Sequence, residues 1–351
     1  MNKDRLCEDL FKAYFDARKN KRNKIASLHF EKNFETKIFE LFEEIVHKRY
    51  KPKPSVCFTV EKPVRREIFA ADFSDRVVHH FIYNYISPIF EKNFINDTYS
   101  CRKGKGVHYG VARLEKFIRP CSENYQKDCY ILKLDIKAYF MSMRKDILFR
   151  SIENVLKREG NVSFDLDLIV YLIERTIFEK VQENCVIKKY EKLPFGKSLF
   201  DVNANCGLPI GNLTSQLFGN VYLNEFDHYI KKDLGIRYYG RYVDDFVIVH
   251  RDKEYLRSLI PKIREYLDKN LSLCLHPDKI YLQHFSKGVK YLGFFVKPYR
   301  KYILNSTKGN LWKYTHEKNH EERVLNSYLG MFSHGSSYNL LSKFFKQDLI
   351  I

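Results

Sequence analysis

Zinc-binding, membrane-spanning and secretory signals are all missing from this sequence of 351 residues. None of its eight cysteines belongs to a Cys-x-x-Cys pair, which argues against a zinc ribbon or zinc knuckle. No apolar run approaches the roughly 18 residues of a membrane span, and the first residues lack the apolar core of a signal peptide. We therefore expect scattered reduced thiols in a cytoplasmic protein.

Acidic residues are scarce relative to basic ones. The chain has 61 Lys and Arg against 43 Asp and Glu, a formal net charge of +18. This excess predicts a polyanionic partner, with nucleic acid first and an anionic membrane surface second. The membrane alternative is the weaker one, because no predicted helix combines a Trp or Phe face with a basic face. The 25 Tyr and 28 Phe suit stacking on bases, although most are expected in the core.

Apolar residues at helical spacing and short runs of strand-forming residues follow one another along the chain. Their order does not alternate like a parallel doubly wound sheet, so the predicted fold class is α+β. The predicted elements are helices over 1–50, 75–92, 146–183, 212–231 and 253–270, hairpins over 55–71 (turning at Lys62-Pro63) and 238–250, a strand over 129–134, short strands to about 296, and a helical tail.

Three carboxylates stand where predicted strands end. Asp244 and Asp245 are flanked by strand-forming residues and are predicted at a hairpin tip, although Asp-Asp also occurs in ordinary turns. Asp135 ends an apolar strand. Three carboxylates brought together would repel one another, and a divalent cation would remove that repulsion. Two Mg²⁺ ions about 4 Å apart can activate a 3′-hydroxyl and stabilise a leaving pyrophosphate.

Three motifs then match a known family in order and spacing. Tyr242-Val243-Asp244-Asp245 resembles the YxDD box of reverse transcriptases, Leu134–Phe140 resembles their first catalytic motif, and residues 206–220 resemble the motif between them. The resemblance extends from about residue 12 to 340 and implies a right-hand polymerase fold. The implied regions are 1–126 (N-terminal helices and fingers), 127–150 (palm), 151–205 (helical insertion), 206–296 (palm, with the hairpin and primer grip) and 297–351 (a short helical thumb).

The resemblance implies a role for each catalytic position. Asp135 and Asp244 would be the principal ligands of two Mg²⁺ ions, or of Mn²⁺ as a substitute, with Asp245 assisting. Ile136 would offer a backbone group beside the metal and the incoming triphosphate. Lys279 falls where the family has a lysine near the leaving pyrophosphate, and its alternative is an ordinary surface charge.

The resemblance also implies nucleotide and nucleic-acid contacts. Phe140 would pack under the sugar and exclude a 2′-hydroxyl, the alternative being an ordinary core residue. Arg66 and Arg102 would clamp the triphosphate with planar guanidinium groups. The middle motif would contribute Ile210, Gly211 and Gln216. The implied template and primer contacts are Arg18, Lys19, Lys21, Arg22, Tyr242, Tyr291, Leu292 and Gly293. The basic run at 18–24 has a solvated helix end as its alternative.

The middle motif indicates a subclass. Its Pro209-Ile210-Gly211 and Thr214-Ser215-Gln216 resemble the reverse transcriptases of diversity-generating retroelements, whereas most bacterial relatives have Pro-Gln-Gly. Such enzymes copy a template-repeat RNA into error-prone cDNA that replaces a variable repeat, a process called mutagenic retrohoming. The resemblance implies template RNA, a DNA primer, dNTPs and a small basic accessory variability protein as partners, with no membrane, in a bacterial or phage-encoded cytoplasmic protein.

Two alternatives stay open. Another bacterial reverse transcriptase of retron, phage-defence or minimal intron type is the nearer one. No Val-Thr-Gly triplet of the retron kind is present, and the chain is too short for a maturase domain with an endonuclease. The other alternative is a non-catalytic RNA-binding scaffold on a polymerase fold, against which the intact Asp135, Asp244 and Asp245 argue.

Overall fold

The structure, a computed structural model, describes residues 3–61, 64–160, 162–316 and 322–336. It divides into two compact units that are interleaved along the chain. Unit 1 consists of residues 1–95, 136–229 and 264–274, and unit 2 consists of residues 96–135, 230–263 and 275–351. No helix within the described ranges is long and apolar enough to cross a membrane.

Unit 1 begins with helices. The single helix predicted over 1–50 is three helices, because the chain leaves helical geometry after Arg18 and Asn20 adopts a φ of 62°. The first of them buries apolar residues at helical spacing, including Leu6, Leu10 and Tyr14, and packs against the fourth helix. The helices are α1 (Lys3–Arg18), α2 (Ile25–Glu31), α3 (Phe34–Val46) and α4 (Phe73–Asn93).

The first predicted hairpin is confirmed. Strands β1 (Ser55–Val60) and β2 (Arg66–Ala70) pair antiparallel, and β4 (Cys185–Ile187) pairs parallel with β1. The turn predicted at Lys62-Pro63 lies outside the described residues.

The helix predicted over 146–183 is two helices, because Gly160 has a φ of 66° and ends the first. The helix predicted over 212–231 is likewise divided, at Leu223. The remaining helices of unit 1 are α6 (Tyr139–Ser142), α7 (Lys145–Glu159), α8 (Leu166–Phe178), α9 (Leu213–Tyr222) and α10 (Asn224–His228).

Unit 2 contains a four-stranded antiparallel sheet in the order β5-β6-β3-β7. Its strands are β3 (Tyr130–Asp135), β5 (Tyr238–Tyr242), β6 (Asp245–His250) and β7 (Tyr281–His284). The strand predicted over 129–134 and the hairpin predicted over 238–250 are therefore confirmed. Helix α5 (Val107–Cys121) packs on this sheet, in a stretch to which the sequence analysis assigned no element. Helix α11 (Lys253–Leu271) begins in unit 2 and ends in unit 1.

A second, three-stranded sheet of unit 2 has the order β10-β9-β8. Its strands are β8 (Val289–Tyr291), β9 (Phe294–Lys297) and β10 (Arg300–Ile303), and helices α12 (Asn305–His316) and α13 (Glu322–Ser333) follow them. Side chains on its inner face, such as Val289 and Val296, join the core formed by α5 and the four-stranded sheet. The α+β prediction is confirmed.

Candidate active site

The carboxylates gather at one end of the four-stranded sheet. Asp135 is the last residue of β3 and lies directly opposite Asp245, the first residue of β6. Tyr242 pairs with Asp245 across β5 and β6, which leaves a two-residue turn of Val243 and Asp244. Directly opposed residues of an antiparallel pair have Cβ atoms about 4.5–5.5 Å apart. Hydrogen-bond register therefore brings Asp135 to the hairpin that carries the other two acids.

The tip of this hairpin has a strained backbone. Val243 has a φ of 55°, at a turn position where glycine is preferred. The left-handed conformation costs a residue with a Cβ about 1–2 kcal/mol. Arg241 holds the turn, because its fully buried guanidinium donates a 2.9 Å hydrogen bond to the carbonyl of Val243. The turn is thus held by a buried arginine and contains a valine in an unfavourable backbone conformation. Backbone strain of this kind is typical of functional sites.

Two lysines pair with the acids. Nζ of Lys279 donates a 2.9 Å hydrogen bond to Oδ1 of Asp135, and Nζ of Lys133 lies 3.1 Å from Oδ1 of Asp245. The backbone N–H of His276 donates to the carbonyl of Asp135 at 2.8 Å, which ties the segment before Lys279 to the end of β3. Lys133 was not among the predicted site residues. Its position two residues before Asp135, on the same side of the strand, was the available signal.

Burial and repulsion alter the ionisation of these groups. Burial, followed by the charges of Asp135 and Asp245, raises the pKa of Asp244 to about 6. Burial also raises the pKa of Asp245, although the Lys133 charge opposes the shift. Burial of Lys279 works against its charged form, but its hydrogen bond to Asp135 and the three negative charges outweigh burial and raise its pKa. The lysine is therefore an ammonium at neutral pH, among carboxyl groups that repel one another.

The donor set suits a hard divalent cation. Carboxylate oxygens are the ligands that Mg²⁺ and Mn²⁺ prefer. Oδ1 of Asp245 is buried and receives no aligned hydrogen bond from the described residues, since the Lys133 ammonium stands at ion-pair distance only. No three His, Cys, Asp or Glu side chains of the described ranges stand close enough together to form a ready metal cluster. Asp135, Asp244 and Asp245 are the residues whose oxygens could hold the ion.

Several nucleotide-site candidates meet within unit 1. The carbonyl of Ile210 accepts a 3.0 Å hydrogen bond from the N–H of Phe69 in β2, and the N–H of Leu208 donates to the carbonyl of Phe140 at 2.9 Å. Phe140 and Ile210 both pack, half-buried, against the apolar cluster that contains Phe69. Gly211 has a φ of 127°, and a Cβ there would lie 3.1 Å from the carbonyl oxygen of Phe69. The middle motif is thus fastened to the first motif and to β2.

A buried acid fixes the strand that carries Arg66. Arg66 itself is exposed at the start of β2, but Glu67 is only 2% exposed. The Glu67 carboxylate accepts hydrogen bonds from Ser198 Oγ (2.7 Å), Leu199 N (2.8 Å) and Tyr190 Oη (3.0 Å). Glu67 was not among the predicted site residues, although its place two residues before the apolar Phe69 in an alternating strand indicates an inward side chain.

Three further nucleotide-site candidates are Arg102, Gln216 and Ile136. Arg102, in unit 2, donates from Nη1 to the carbonyl of Thr98 at 3.0 Å. Gln216 is exposed on α9 of unit 1, and Ile136 is buried immediately after Asp135.

The basic run between α1 and α2 divides into two parts. Arg18 is half-buried, and its guanidinium pairs with Glu31 of α2. Glu31, which lies outside the basic run, therefore forms an ion pair with Arg18, the first residue of the run. Lys19, Lys21 and Arg22 are exposed. They are the members of the run that remain accessible to an RNA backbone.

The primer-grip candidates lie around the turn between β8 and β9. Tyr291 is only 1% exposed, and among the described residues its hydroxyl has no hydrogen-bond partner. A primer contact at this turn would therefore come from Leu292 and Gly293, which are half-buried and have φ angles of 47° and 85°. Tyr242 is half-buried in β5, directly before the acid-bearing turn.

Comparison with known proteins identifies the family. Residues 51–296 match the family described as Reverse transcriptase (RNA-dependent DNA polymerase), and the chain belongs to it. Among individual relatives, protein YkfC of Escherichia coli (strain K12) is 24% identical over 287 residues, which cover 72% of this chain and 69% of that protein.

Solved structures agree on the fold. Apo telomerase from Candida tropicalis, truncated from its C-terminal domain, has a TM-score of 0.50 at 13% identity, covering 77% of this chain and 60% of its own. Telomerase from Candida albicans in complex with a TWJ fragment of telomeric RNA has a TM-score of 0.51 at 12% identity, covering 92% and 59% respectively. This chain spans about 60% of the length of those telomerase chains. It has the right-hand polymerase fold, with an antiparallel sheet and helices.

Proposed function

We propose that this protein is an RNA-directed DNA polymerase that extends a DNA primer on an RNA template by two-metal-ion nucleotidyl transfer. The observation that carries the proposal is the pairing of Asp135 with Asp245 at the sheet end where the Val243-Asp244 turn begins. Family membership makes nucleic acid and dNTPs the expected ligands. The net charge of +18 supports a polyanionic partner.

Each charged group at the sheet end has a proposed task. Asp135 and Asp244 would hold two Mg²⁺ ions, with Asp245 assisting and Ile136 offering its backbone. When bound, the ions supply activation of the primer 3′-hydroxyl and charge stabilisation of the leaving pyrophosphate. The Lys279 ammonium, whose pKa is raised, can hold a proton beside the departing pyrophosphate. Lys133 keeps a positive charge beside Asp245.

The remaining assignments concern substrate binding. Arg66 and Arg102 would bind the triphosphate, Phe140 would exclude a 2′-hydroxyl, and Ile210 and Gly211 would line the nucleotide site together with the rest of the middle motif. Template and primer contacts would involve Lys19, Lys21, Arg22, Tyr242, Leu292 and Gly293, with Arg18 and Tyr291 positioning them from less exposed places. The proposed regions are fingers (1–126), palm (127–150 and 206–296), a helical insertion (151–205) and a thumb (297–351).

Primer extension on an RNA template with Mg²⁺ tests the function. We expect Asp244→Ala to reduce the rate of primer extension at least about 100-fold. Loss of a group that only supports a metal ligand already costs about 10- to 100-fold, and Asp244 is proposed to be a ligand itself. Asp268→Ala is the matched control, because Asp268 is an exposed aspartate on α11. Thermal melting of both variants separates loss of chemistry from loss of folding. A folded Asp244→Ala variant with unchanged extension would refute the assignment and favour a non-catalytic scaffold.

We further propose that the cDNA is error-prone and serves mutagenic retrohoming, with an accessory variability protein as partner. Support comes from Ile210, which packs on an apolar cluster and offers no side-chain hydrogen bond at the position that, by the resemblance of the middle motif, would carry glutamine in other bacterial reverse transcriptases. A net hydrogen bond contributes about 0.5–1.5 kcal/mol, so its loss relaxes discrimination by roughly two- to tenfold. That loss alone does not account for high error at one base, so template or accessory contacts contribute as well.

Ile210→Gln tests this finer proposal. We expect the variant to misincorporate less often opposite template adenines, and Ile210→Val to keep the error spectrum of the parent. Sequencing of the cDNA made from one RNA template measures both. An unchanged adenine error rate in Ile210→Gln would reject the role of Ile210 and leave the polymerase assignment intact. Absence of an adenine bias in the parent would favour the alternative of a retron, phage-defence or minimal intron enzyme.

A further inference from the structure

The outer face of the three-stranded sheet of unit 2 is basic and aromatic. Side chains alternate along each strand, so the residues next to the inward Tyr291, Phe294 and Val296 point away from the core. The outward residues are Lys290, Phe295, Lys297, Arg300 and Tyr302. The lysines and the arginine are exposed, and the two aromatic side chains are half-exposed.

The strand register places the aromatic residues side by side. Phe295 lies directly between Lys290 of β8 and Tyr302 of β10. Lys297 is paired with Arg300, and its Nζ lies 5.7 Å from the centroid of the Phe295 ring. One row of the sheet thus presents a lysine and two neighbouring rings. The next row presents two more positive charges.

This row continues into a groove at the start of α12. The groove has a volume of about 480 Å³, within the roughly 300–1,000 Å³ of ordinary ligand sites. Asn305 and Ser306 supply polar groups to its wall, and Lys308 adds a further positive charge. No acidic side chain of the described residues lines it.

Gly288, in the turn before β8, packs closely against the outward side chains of β9. A Cβ added at Gly288 would lie 2.8 Å from Cζ of Phe295 and 2.7 Å from Cγ of Lys297. The ring of Phe295 therefore contacts the backbone of Gly288, where no side chain intervenes, and the turn before β8 restricts its position. An ordered ring loses less conformational entropy when a planar ligand stacks on it.

We propose that this outer face binds a single strand of nucleic acid, with bases stacked on Phe295 and Tyr302 and phosphates held by Lys290, Lys297 and Lys308. Adjacent aromatic rings on a sheet, bordered by basic side chains, are the chemistry that such strands require. The site is separate from the acid-bearing end of the other sheet, and it goes beyond the proposed polymerase reaction. Its ligand is a strand outside the catalytic duplex, either template RNA or single-stranded DNA.

Cross-linking locates the site directly. Fluorescein-labelled ten-nucleotide oligo(U) and oligo(dT) containing a photoreactive base are mixed with the full-length protein, while an unlabelled blunt hairpin duplex saturates the duplex-binding site. We expect cross-links to map to the peptide that spans residues 288–304. The two probes distinguish an RNA ligand from a DNA ligand. Cross-links confined to other peptides would overturn the proposal.

Binding measurements with matched variants complete the test. We expect Phe295→Leu with Tyr302→Leu to weaken oligonucleotide binding at least about tenfold. The control, Phe178→Leu with Phe195→Leu, changes two exposed phenylalanines of unit 1 and should bind like the parent. An unchanged affinity in the first pair would overturn the proposal.

Charge variants add an independent readout. Each lost phosphate contact should lower the salt slope by about 0.7, so Lys290→Gln with Lys297→Gln should lower it by roughly 1.4. The matched control is Lys253→Gln with Lys262→Gln, two exposed lysines of α11. A slope that falls equally in both pairs would contradict specific contacts at the sheet.

Primer extension on the short hairpin duplex separates this proposal from the polymerase assignment. The aromatic pair of substitutions should leave extension unchanged, whereas Asp244→Ala should leave the cross-links unchanged. Should the aromatic substitutions instead alter the oligomeric state in sedimentation and leave oligonucleotide affinity intact, the face is a protein interface and the proposal fails.

Discussion

Two regions of the molecule differ in how completely their polar groups are paired. One is the acid-bearing end of the four-stranded sheet of unit 2, with Asp135, Asp244 and Asp245, here called the sheet end. The other is the β2 junction of unit 1, where β2 is bonded to the middle motif and Glu67 is buried. At the sheet end, Asp244 has a raised pKa, Val243 has an unfavourable φ, and Oδ1 of Asp245 has no aligned hydrogen bond from the part of the chain that the structure describes. At the β2 junction, the buried Glu67 accepts three hydrogen bonds and Ile210 is fastened to Phe69 through its backbone. One region stores unfavourable interactions, whereas in the other the buried carboxylate of Glu67 is paired with three donors.

This difference indicates which region performs chemistry and which one supports it. A site that must bind a cation and release a product cannot satisfy its own charges completely, because full internal pairing would compete with the ligand. A junction that holds residues in place benefits from complete pairing. Substitutions should therefore cost stability at the β2 junction, and at the sheet end they should alter activity and ion dependence.

Removal of the Glu67 carboxylate should have the largest effect on stability. Glu67→Ala leaves Ser198, Leu199 and Tyr190 without their acceptor, and hydrogen bonds to a charged group contribute about 1.5–3 kcal/mol each without adding fully. We expect the free energy of unfolding to fall by about 3–5 kcal/mol in urea titrations. Glu67→Gln keeps one acceptor oxygen and should lose about half as much. Equal stability of Glu67→Ala and the parent would show that the junction is not held as described.

Replacement of Arg241 should destabilise the turn at the sheet end. Arg241→Leu removes the donor to the Val243 carbonyl and leaves part of a buried volume empty, so we expect a loss of about 3 kcal/mol. Primer extension should fall further than stability explains, because the turn that carries Asp244 is released. Both are measured at a temperature where the variant remains folded.

Arg241→Lys serves as the comparison, since it keeps the charge and loses the planar fork. It should fold better than Arg241→Leu and still extend primers poorly. Parental activity in a folded Arg241→Leu variant would separate the turn from catalysis.

The contrast between the regions was only partly visible in the sequence. Strand-forming flanks around Asp244 predicted its hairpin, and the apolar run before Asp135 predicted β3, because alternation and burial act over a few residues. Pairing of Asp135 with Asp245 depends on strands more than 100 residues apart, and only the family resemblance indicated it. The fully buried Arg241 and its bond to Val243 left no local signal, since arginine is ordinarily exposed.

Errors in the predicted helices have local causes. The helix predicted over 1–50 is interrupted near Asn20, and the helix predicted over 146–183 is interrupted at Gly160, because both residues have a left-handed φ. Helix α5 was not predicted, although its apolar residues recur at helical spacing, because it contains Gly110 and Pro120, which ordinarily weaken or interrupt a helix. Glu67 was missed because an acid in a strand is ordinarily assigned to solvent.

A smaller effect, on pH dependence, should sharpen the comparison. The pKa of Asp244 is raised from 3.8 to about 6 in the folded protein. The unfolded chain therefore releases this proton at lower pH than the native state does, so native stability falls as pH rises from about 4 to about 6 and stays reduced above that. Asp244→Asn removes this penalty, and as pH rises from 4 to 8 we expect its stability relative to the parent to increase by about 2–3 kcal/mol.

Addition of Mg²⁺ should cancel the same difference, because a bound cation stabilises the ionised carboxylates of the parent and much less those of Asp244→Asn. Urea titrations at pH 4, 6 and 8, with and without Mg²⁺, measure both effects without reference to polymerase activity. The exposed Asp268→Asn is the control and should follow the parent at every pH. A pH-independent difference that Mg²⁺ leaves untouched would mean that Asp244 neither bears the repulsion of its neighbours nor shares an ion with them. The sheet end would then be as fully satisfied as the β2 junction.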